Sequence, residues 1–148
     1  MGIEQDIQST SWRNEQQKSA VNLIFTFNWL QEYMREFFEP FGITQQQFNI
    51  LRILRGAGKP LSTLQIRERM LDRASDTSRI VDRMVKKGLV EKRVCPNDKR
   101  LVDITLTEQG TGLLIEIDMK EADLNMPLLK LTEQEASVLN DFLDRIRT

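Results

Sequence analysis

The sequence predicts a mainly α-helical chain with one small β-hairpin, and three observations point there. Apolar residues recur at helical spacing over most of the 148 residues. Three segments open on a Ser or Thr followed three places later by Gln or Glu, the pattern of reciprocal helix capping. Between residues 89 and 106 the pattern changes to two runs rich in β-branched residues around Cys95-Pro96-Asn97-Asp98-Lys99-Arg100, which reads as a hairpin. The length suits one domain with a real core, and no repeat or low-complexity segment suggests a second.

Residues 1 to about 13 are polar and aperiodic and read as a mobile arm. From Asn14 to Glu39, Val21, Ile24, Phe25, Trp29, Tyr33, Met34, Phe37 and Phe38 recur at helical spacing until Pro40 and Gly42 stop the pattern. Such a helix spans roughly 40 Å. Thr44 with Gln47 opens a second helix to about Arg55, with Phe48, Leu51, Ile53 and Leu54 as its core face. Ile43 against Phe48, and Leu61 against Ile66, supply hydrophobic staples. Gly56-Ala57-Gly58 ends the second helix, and Lys59-Pro60-Leu61 can add a short strand.

Ser62 with Gln65 starts a third helix to about Met70. A fourth runs from about Ser75 to Lys87, with Thr77, Ile80, Val81, Met84 and Val85 inward and Gly88 as C-cap. Leu89 to Val94 and Leu101 to Leu106 form the hairpin. Thr107 opens a fifth helix carrying Leu113, Leu114, Ile117 and Leu124, closed by Pro127. Thr132 with Glu135 starts the last, with Val138, Leu139, Phe142, Leu143 and Ile146 on one stripe.

The formal charge of −1 hides an uneven distribution. Residues 67–100 hold 11 Lys and Arg against 6 Asp and Glu, which leaves 10 basic against 16 acidic residues elsewhere. A basic middle with acidic flanks suits a protein that offers one face to phosphate. The chain has no histidine, so Ser-His-Asp, Cys-His and His-zinc chemistry are excluded. The carboxylates are scattered and no glycine loop cradles phosphate, so no enzyme, cofactor or metal is expected. A single cysteine allows no intrachain disulfide, and no apolar run approaches a membrane span, so the expected compartment is the cytoplasm.

Two helices joined by a turn, followed by a basic hairpin, compose a winged helix-turn-helix that grips duplex DNA. The reading end is Arg73, Ser75, Asp76, Thr77, Ser78 and Arg79, with Arg83 on the same face. Hydroxyls bond bases or phosphates, Arg79 can pair with guanine in bidentate fashion, and Asp76 can accept from a cytosine amine. Ser75 serves equally as an N-cap, and Asp76 as a favourable first-turn charge. On the hairpin, Lys99 and Arg100 reach phosphate or a narrow minor groove. Asp98, repelled by phosphate, instead orients Arg100 or Arg93.

The order Ile80-Val81-Asp82-Arg83-Met84-Val85-Lys86-Lys87-Gly88-Leu89-Val90, then Arg93 and Pro96, then Asp98-Lys99-Arg100, then Ile104-Thr105-Leu106-Thr107-Glu108-Gln109-Gly110 resembles the MarR family of bacterial transcription regulators. Thr44-Gln47-Phe48 and Thr132-Glu133-Gln134-Glu135 extend the resemblance over nearly the whole chain. It implies one domain over residues 1–148, with a DNA-binding lobe at about 44–106. The terminal helices, about 14–39 and 111–148, would form the dimerisation arm of a homodimer. Such a homodimer reads a pseudo-palindrome whose half-sites lie ~34–36 Å apart. The resemblance further implies release of DNA by ligands or oxidants. Asp76 departs from the family pattern, where a hydroxyl or apolar residue is common.

By the same resemblance, Trp29, Tyr33, Phe37 and Phe48 can line a pocket for a small aromatic acid, with Arg52 or Arg55 pairing its carboxylate; an aromatic stripe also serves as plain core. Cys95, beside basic residues, is a candidate for oxidation, acting on wing contacts or through another thiol. The expected function is a sequence-specific DNA-binding regulator, a dimeric repressor. The alternative is a dimeric winged-helix module that binds a protein partner without specific DNA recognition.

Overall fold

The computed structural model describes residues 2–94, 96–98, 100 and 102–148. Cys95 and Lys99, the candidate redox residue and one of the wing cations, lie outside the described residues. The chain divides into two compact units, Met1–Gln45 and Gln46–Thr148.

The first unit holds α1 (Ile3–Asp6), α2 (Glu15–Phe38) and a 3-10 turn at Glu39–Phe41. The expected irregular arm is therefore partly helical. Ile3 is buried, and Glu4 accepts hydrogen bonds from Lys18 Nζ at 2.8 Å and Trp12 Nε1 at 3.3 Å. That bond from Lys18, with its charge, holds the Glu4 carboxyl below its ordinary range and raises the Lys18 ammonium. Asn14 caps α2 by accepting the N–H of Gln17 at 2.8 Å. Gly42, with φ +71°, follows the 3-10 turn in the left-handed conformation that a β-carbon disfavours. Trp29 and Tyr33 stack at 5.8 Å, and Phe37 meets Phe38 edge-on at 5.0 Å. Leu23, Ile24, Phe25, Phe27 and Trp29 are exposed along α2.

In the second unit, α3 (Gln45–Ala57) buries Gln47, Ile50, Leu51 and Leu54, one helical stripe at i, i+3, i+4 and i+7. This corrects the expected stripe: Phe48 and Ile53 are only half-buried, and Ile50 takes the central place. Gln47 sits at the head of the stripe because its Oε1 accepts from Lys87 Nζ at 3.0 Å. A buried amide is tolerated once hydrogen-bonded.

The sheet has three antiparallel strands, one more than the hairpin alone, in the order β1 (Leu61–Ser62), β3 (Val102–Leu106), β2 (Val90–Val94). Ile104 faces Leu61 on one side and Lys92 on the other. Beside it pack α4 (Thr63–Arg69), opened by the full Ser62-Gln65 capping box, and α5 (Thr77–Lys86). Leu61, Ile66, Val81, Met84, Val90 and Ile104 are all essentially inaccessible, and each such burial contributes about 1.5–3 kcal/mol.

Helix α5 ends in a Schellman arrangement. Gly88 has φ +76°, its N–H bonds Val85 O at 3.0 Å, and Leu89 N–H bonds Met84 O at 3.0 Å. Val85, expected inward, is exposed on the last turn. Thr107 then caps α6 (Glu108–Asp118): its Oγ1 accepts from Gly110 N at 3.0 Å and donates to Gly88 O at 2.6 Å, while its N–H bonds Leu89 O at 3.2 Å. Leu114 and Ile117 anchor α6 in the core.

The expected long fifth helix is broken. It stops at Asp118, restarts as the single-turn α7 (Glu121–Leu124), and is followed by a 3-10 turn at Leu128–Lys130. Burial ends at Ile117 and Met119 is 83% exposed, so the break falls where α6 leaves the core. The Thr132-Glu135 capping box then opens α8 (Glu133–Arg147), which has no buried residue. Val138, Leu139, Phe142 and Ile146 stand exposed on it.

Candidate nucleic-acid interface

The two helices of the motif are joined by a turn built on Asp72, which the sequence reading did not single out. Its Oδ1 accepts the N–H of Ala74 at 3.0 Å, and its carbonyl accepts both Ser75 N at 3.3 Å and Ser75 Oγ at 2.7 Å. Oδ2 takes Gln46 Nε2 at 3.4 Å, which pins the turn to α3. The local signal was an Asp two places ahead of a free N–H, an Asx turn.

Because Ser75 is committed to that turn, the helix starts one residue later than expected. Asp76 is the N-cap, accepting Arg79 N at 3.3 Å. Its other oxygen lies 3.4 Å from Arg79 Nε. Thr77 faces inward, as the helical period predicts, and not toward the reading end where it was also placed. It is buried, and its Oγ1 is the one inaccessible side-chain polar atom without a hydrogen-bond partner among the described residues, so its hydroxyl is not offered to solvent.

The remaining face is open. Ser78, Arg79, Asp82, Arg83 and Lys86 are exposed on α5, and Arg73 is exposed on the turn before it. An exposed ion pair from Lys92 to Asp82 links β2 to α5. In the wing loop Asp98 selects Arg100: its Oδ1 accepts Arg100 N at 3.0 Å and Arg100 Nε at 3.2 Å. Arg93 pairs instead with Glu91 at 3.1 Å, so the alternative of Asp98 orienting Arg93 is not realised. Asp98 takes the nearer partner, since bonding both the main chain and side chain of one residue costs less ordering than reaching across the strand.

Of the proposed pocket residues, Trp29, Tyr33 and Phe37 belong to the first unit, whereas half-buried Phe48 and exposed Arg52 belong to the second. Arg52 donates to Asn49 Oδ1 at 3.3 Å. Arg55 is committed to a two-bond pair with Asp118, at 2.6 and 3.1 Å, and so is less available to a ligand carboxylate than expected. An open cavity of about 270 Å³ in the second unit is lined by Leu54, Arg55, Gly58, Lys59, Thr105 and Leu106, a different set. Among the described residues no cluster of three or more His, Cys, Asp or Glu can hold a metal. No described helix is long and apolar enough to cross a membrane.

The MarR family model matches residues 41–101, from the end of the 3-10 turn before α3 through the wing loop. The multiple antibiotic resistance protein MarR of Salmonella typhimurium is 30% identical over 115 residues, which make up 76% of this chain and 79% of that protein. The chain belongs to the MarR family. It is a DNA-binding transcription regulator with the family's winged helix-turn-helix fold, and MarR-family regulators are not enzymes. A mutant MarR from E. coli crystallised with operator DNA is 26% identical with a TM-score of 0.78, over 93% of this chain and 99% of that one. An organohalide-sensing regulator in its 2,4-dichlorophenol-bound form shares the fold, with a TM-score of 0.80 at 20% identity, over 90% of this chain and 80% of that one.

Proposed function

We propose that this MarR-family protein is a dimeric repressor of the cytoplasm that reads a pseudo-palindromic operator through α5 and its wing. The observation that carries this reading is the two-faced character of α5. Thr77, Ile80, Val81 and Met84 are buried, while Ser78, Arg79, Arg83 and Lys86 are exposed. Arg73 and Arg83 have no carboxylate partner among the described residues, which leaves both charges for phosphate. Arg79 and Ser78 read base edges, with Ser75 and Asp76 shaping the helix start, and Arg100, steadied by Asp98, grips the groove beside it. Lys99, on the same loop in sequence, adds a second wing cation.

A second copy supplies the cover that α8 lacks. Val138, Leu139, Phe142 and Ile146 are between 36% and 66% exposed, a stripe too apolar to be left in water. A dimer seated on a promoter blocks polymerase, which makes repression the direct outcome. A small aromatic effector acting near Trp29 and Tyr33 is supported by their stacked, partly open rings and by the phenol bound to the organohalide sensor.

The test is fluorescence anisotropy of the full chain against duplexes tiled from its own upstream region, at two salt concentrations, beside Arg79→Ala and Arg100→Ala. Selective binding that falls steeply with salt and weakens in both variants is the expected result. Equal, weak binding to every duplex overturns specific recognition and favours a winged-helix module that binds a protein partner.

A further inference from the structure

One carboxylate bonds the main chain and ion-pairs with the side chain of the residue best placed to read a base. Asp76 Oδ1 accepts the N–H of Arg79 at 3.3 Å, and Oδ2 lies 3.4 Å from Arg79 Nε. Both side chains are open to an approaching duplex, at 60% and 79% exposure. The carboxylate's approach to the guanidinium is at Nε, and among the described residues neither terminal amino group has a hydrogen-bond partner. Those two groups form the fork that meets O6 and N7 of guanine in a bidentate contact.

We infer that Asp76 is a positioning residue for sequence reading, which aims the fork of Arg79 and exchanges general affinity for discrimination. This rests on the DNA-reading function of α5. In water an exposed pair of this kind restrains Arg79 only weakly. When the groove closes over it and excludes water, the same pair strengthens and limits Arg79 to fewer rotamers. The carboxylate also stands beside phosphates and repels them on every sequence. Its two effects therefore have opposite signs: removing the charge strengthens binding to any duplex and weakens the choice among them. A residue that only caps the helix changes neither quantity, and one that only repels phosphate changes binding to all duplexes equally.

The experiment uses the full-length protein and a duplex selected by the wild type from a randomised pool, together with its single base-pair variants and an unrelated duplex. Arg79→Ala identifies the base pair that Arg79 reads. Asp76→Asn keeps an acceptor at the N-cap and removes the charge; circular dichroism checks that its melting temperature stays near that of the wild type. The expected result is tighter binding of Asp76→Asn to the unrelated duplex, by about two- to threefold. Discrimination at the Arg79 base pair falls by about three- to tenfold. In an Arg79→Ala background, Asp76→Asn leaves discrimination at that base pair unchanged.

Unaltered discrimination in Asp76→Asn overturns the inference, as does a change of discrimination on Asp76→Asn that persists without Arg79, or an Arg79→Ala variant that loses no discrimination. In those cases the regulator reading stands, because the wild type still selects a duplex. A wild type that selects no duplex overturns the regulator reading, and this inference with it.

Discussion

Replacing Gly110 by alanine tests how closely α6 is seated on the turn after α5. Gly110 is buried, and a β-carbon built on it would lie 2.2 Å from the carbonyl oxygen of Leu89 and 3.2 Å from its carbonyl carbon. A main-chain atom cannot swing aside as a side chain does, so α6 or the turn must shift. The bond most exposed to that shift is Thr107 N to Leu89 O, at 3.2 Å. Overpacking costs about 1–3 kcal/mol and a lost hydrogen bond about 0.5–1.5 kcal/mol, against a gain of about 1 kcal/mol for alanine over glycine in a helix. The net expectation is a loss of about 2 kcal/mol, or a fall of about 4–8 °C in melting temperature. Gly112, two residues on in the same helix, and Gly56 in α3 would place a β-carbon in open space. There the helix preference acts alone, and alanine raises stability by about 0.5–1 kcal/mol. Thermal and urea unfolding followed by far-UV circular dichroism measures all three. A Gly110→Ala variant as stable as Gly112→Ala refutes the reasoning.

Three further expectations concern other parts of the chain. Thr77→Val replaces a buried, unpartnered hydroxyl with a methyl group of the same shape and should raise stability by about 1 kcal/mol; a lower melting temperature would show that the hydroxyl is satisfied after all. The hydrogen bond from Lys18 lowers the Glu4 carboxyl from its ordinary 4.5, so the stability it contributes is present above that pH and is lost as pH falls through the depressed value. In a Trp29→Phe background, Trp12 emission should change below about pH 4.5, and Glu4→Gln should abolish that step; an unchanged step in Glu4→Gln assigns it elsewhere. Phe142→Glu puts a charge on the exposed stripe of α8, so if the chain pairs there as proposed, sedimentation velocity should show the variant dissociating at concentrations where the wild type stays associated; a wild type that is monomeric overturns the proposed dimer, and a dimer unaffected by the change places the interface off α8.

The parts of the fold legible in the sequence were those that local chemistry decides. Ser62 with Gln65 and Thr132 with Glu135 form the capping boxes their spacing announced, and Gly88 takes the left-handed position at the end of α5. Phase was harder to read than spacing. The buried stripe of α3 begins on Gln47, a polar residue, so hydrophobicity pointed to Phe48 and Ile53 and missed Ile50. The break after Asp118 carries neither proline nor glycine, and Leu124 continues the apparent period, so only the loss of packing beyond Ile117 reveals it. Ser75 and Asp76 are both competent caps; what separates them is the Asp72 turn, which claims Ser75. The short α1 rests on one apolar residue, Ile3, and one residue has no period.

Ser62 ends β1, paired with Asp103, and is also the residue whose side chain starts α4. Strand and helix thus share a residue, with no loop between them to take up strain. At the other end of β3, Thr107 makes a similar joint, following the strand directly and capping α6. The central strand therefore behaves as a shaft with a helix fixed at one end and, through its neighbour strand, another fixed alongside it. With no loop residue at either joint, β3 cannot turn against the start of α4 or of α6 without straining a cap bond, at Ser62 in one case and at Thr107 in the other.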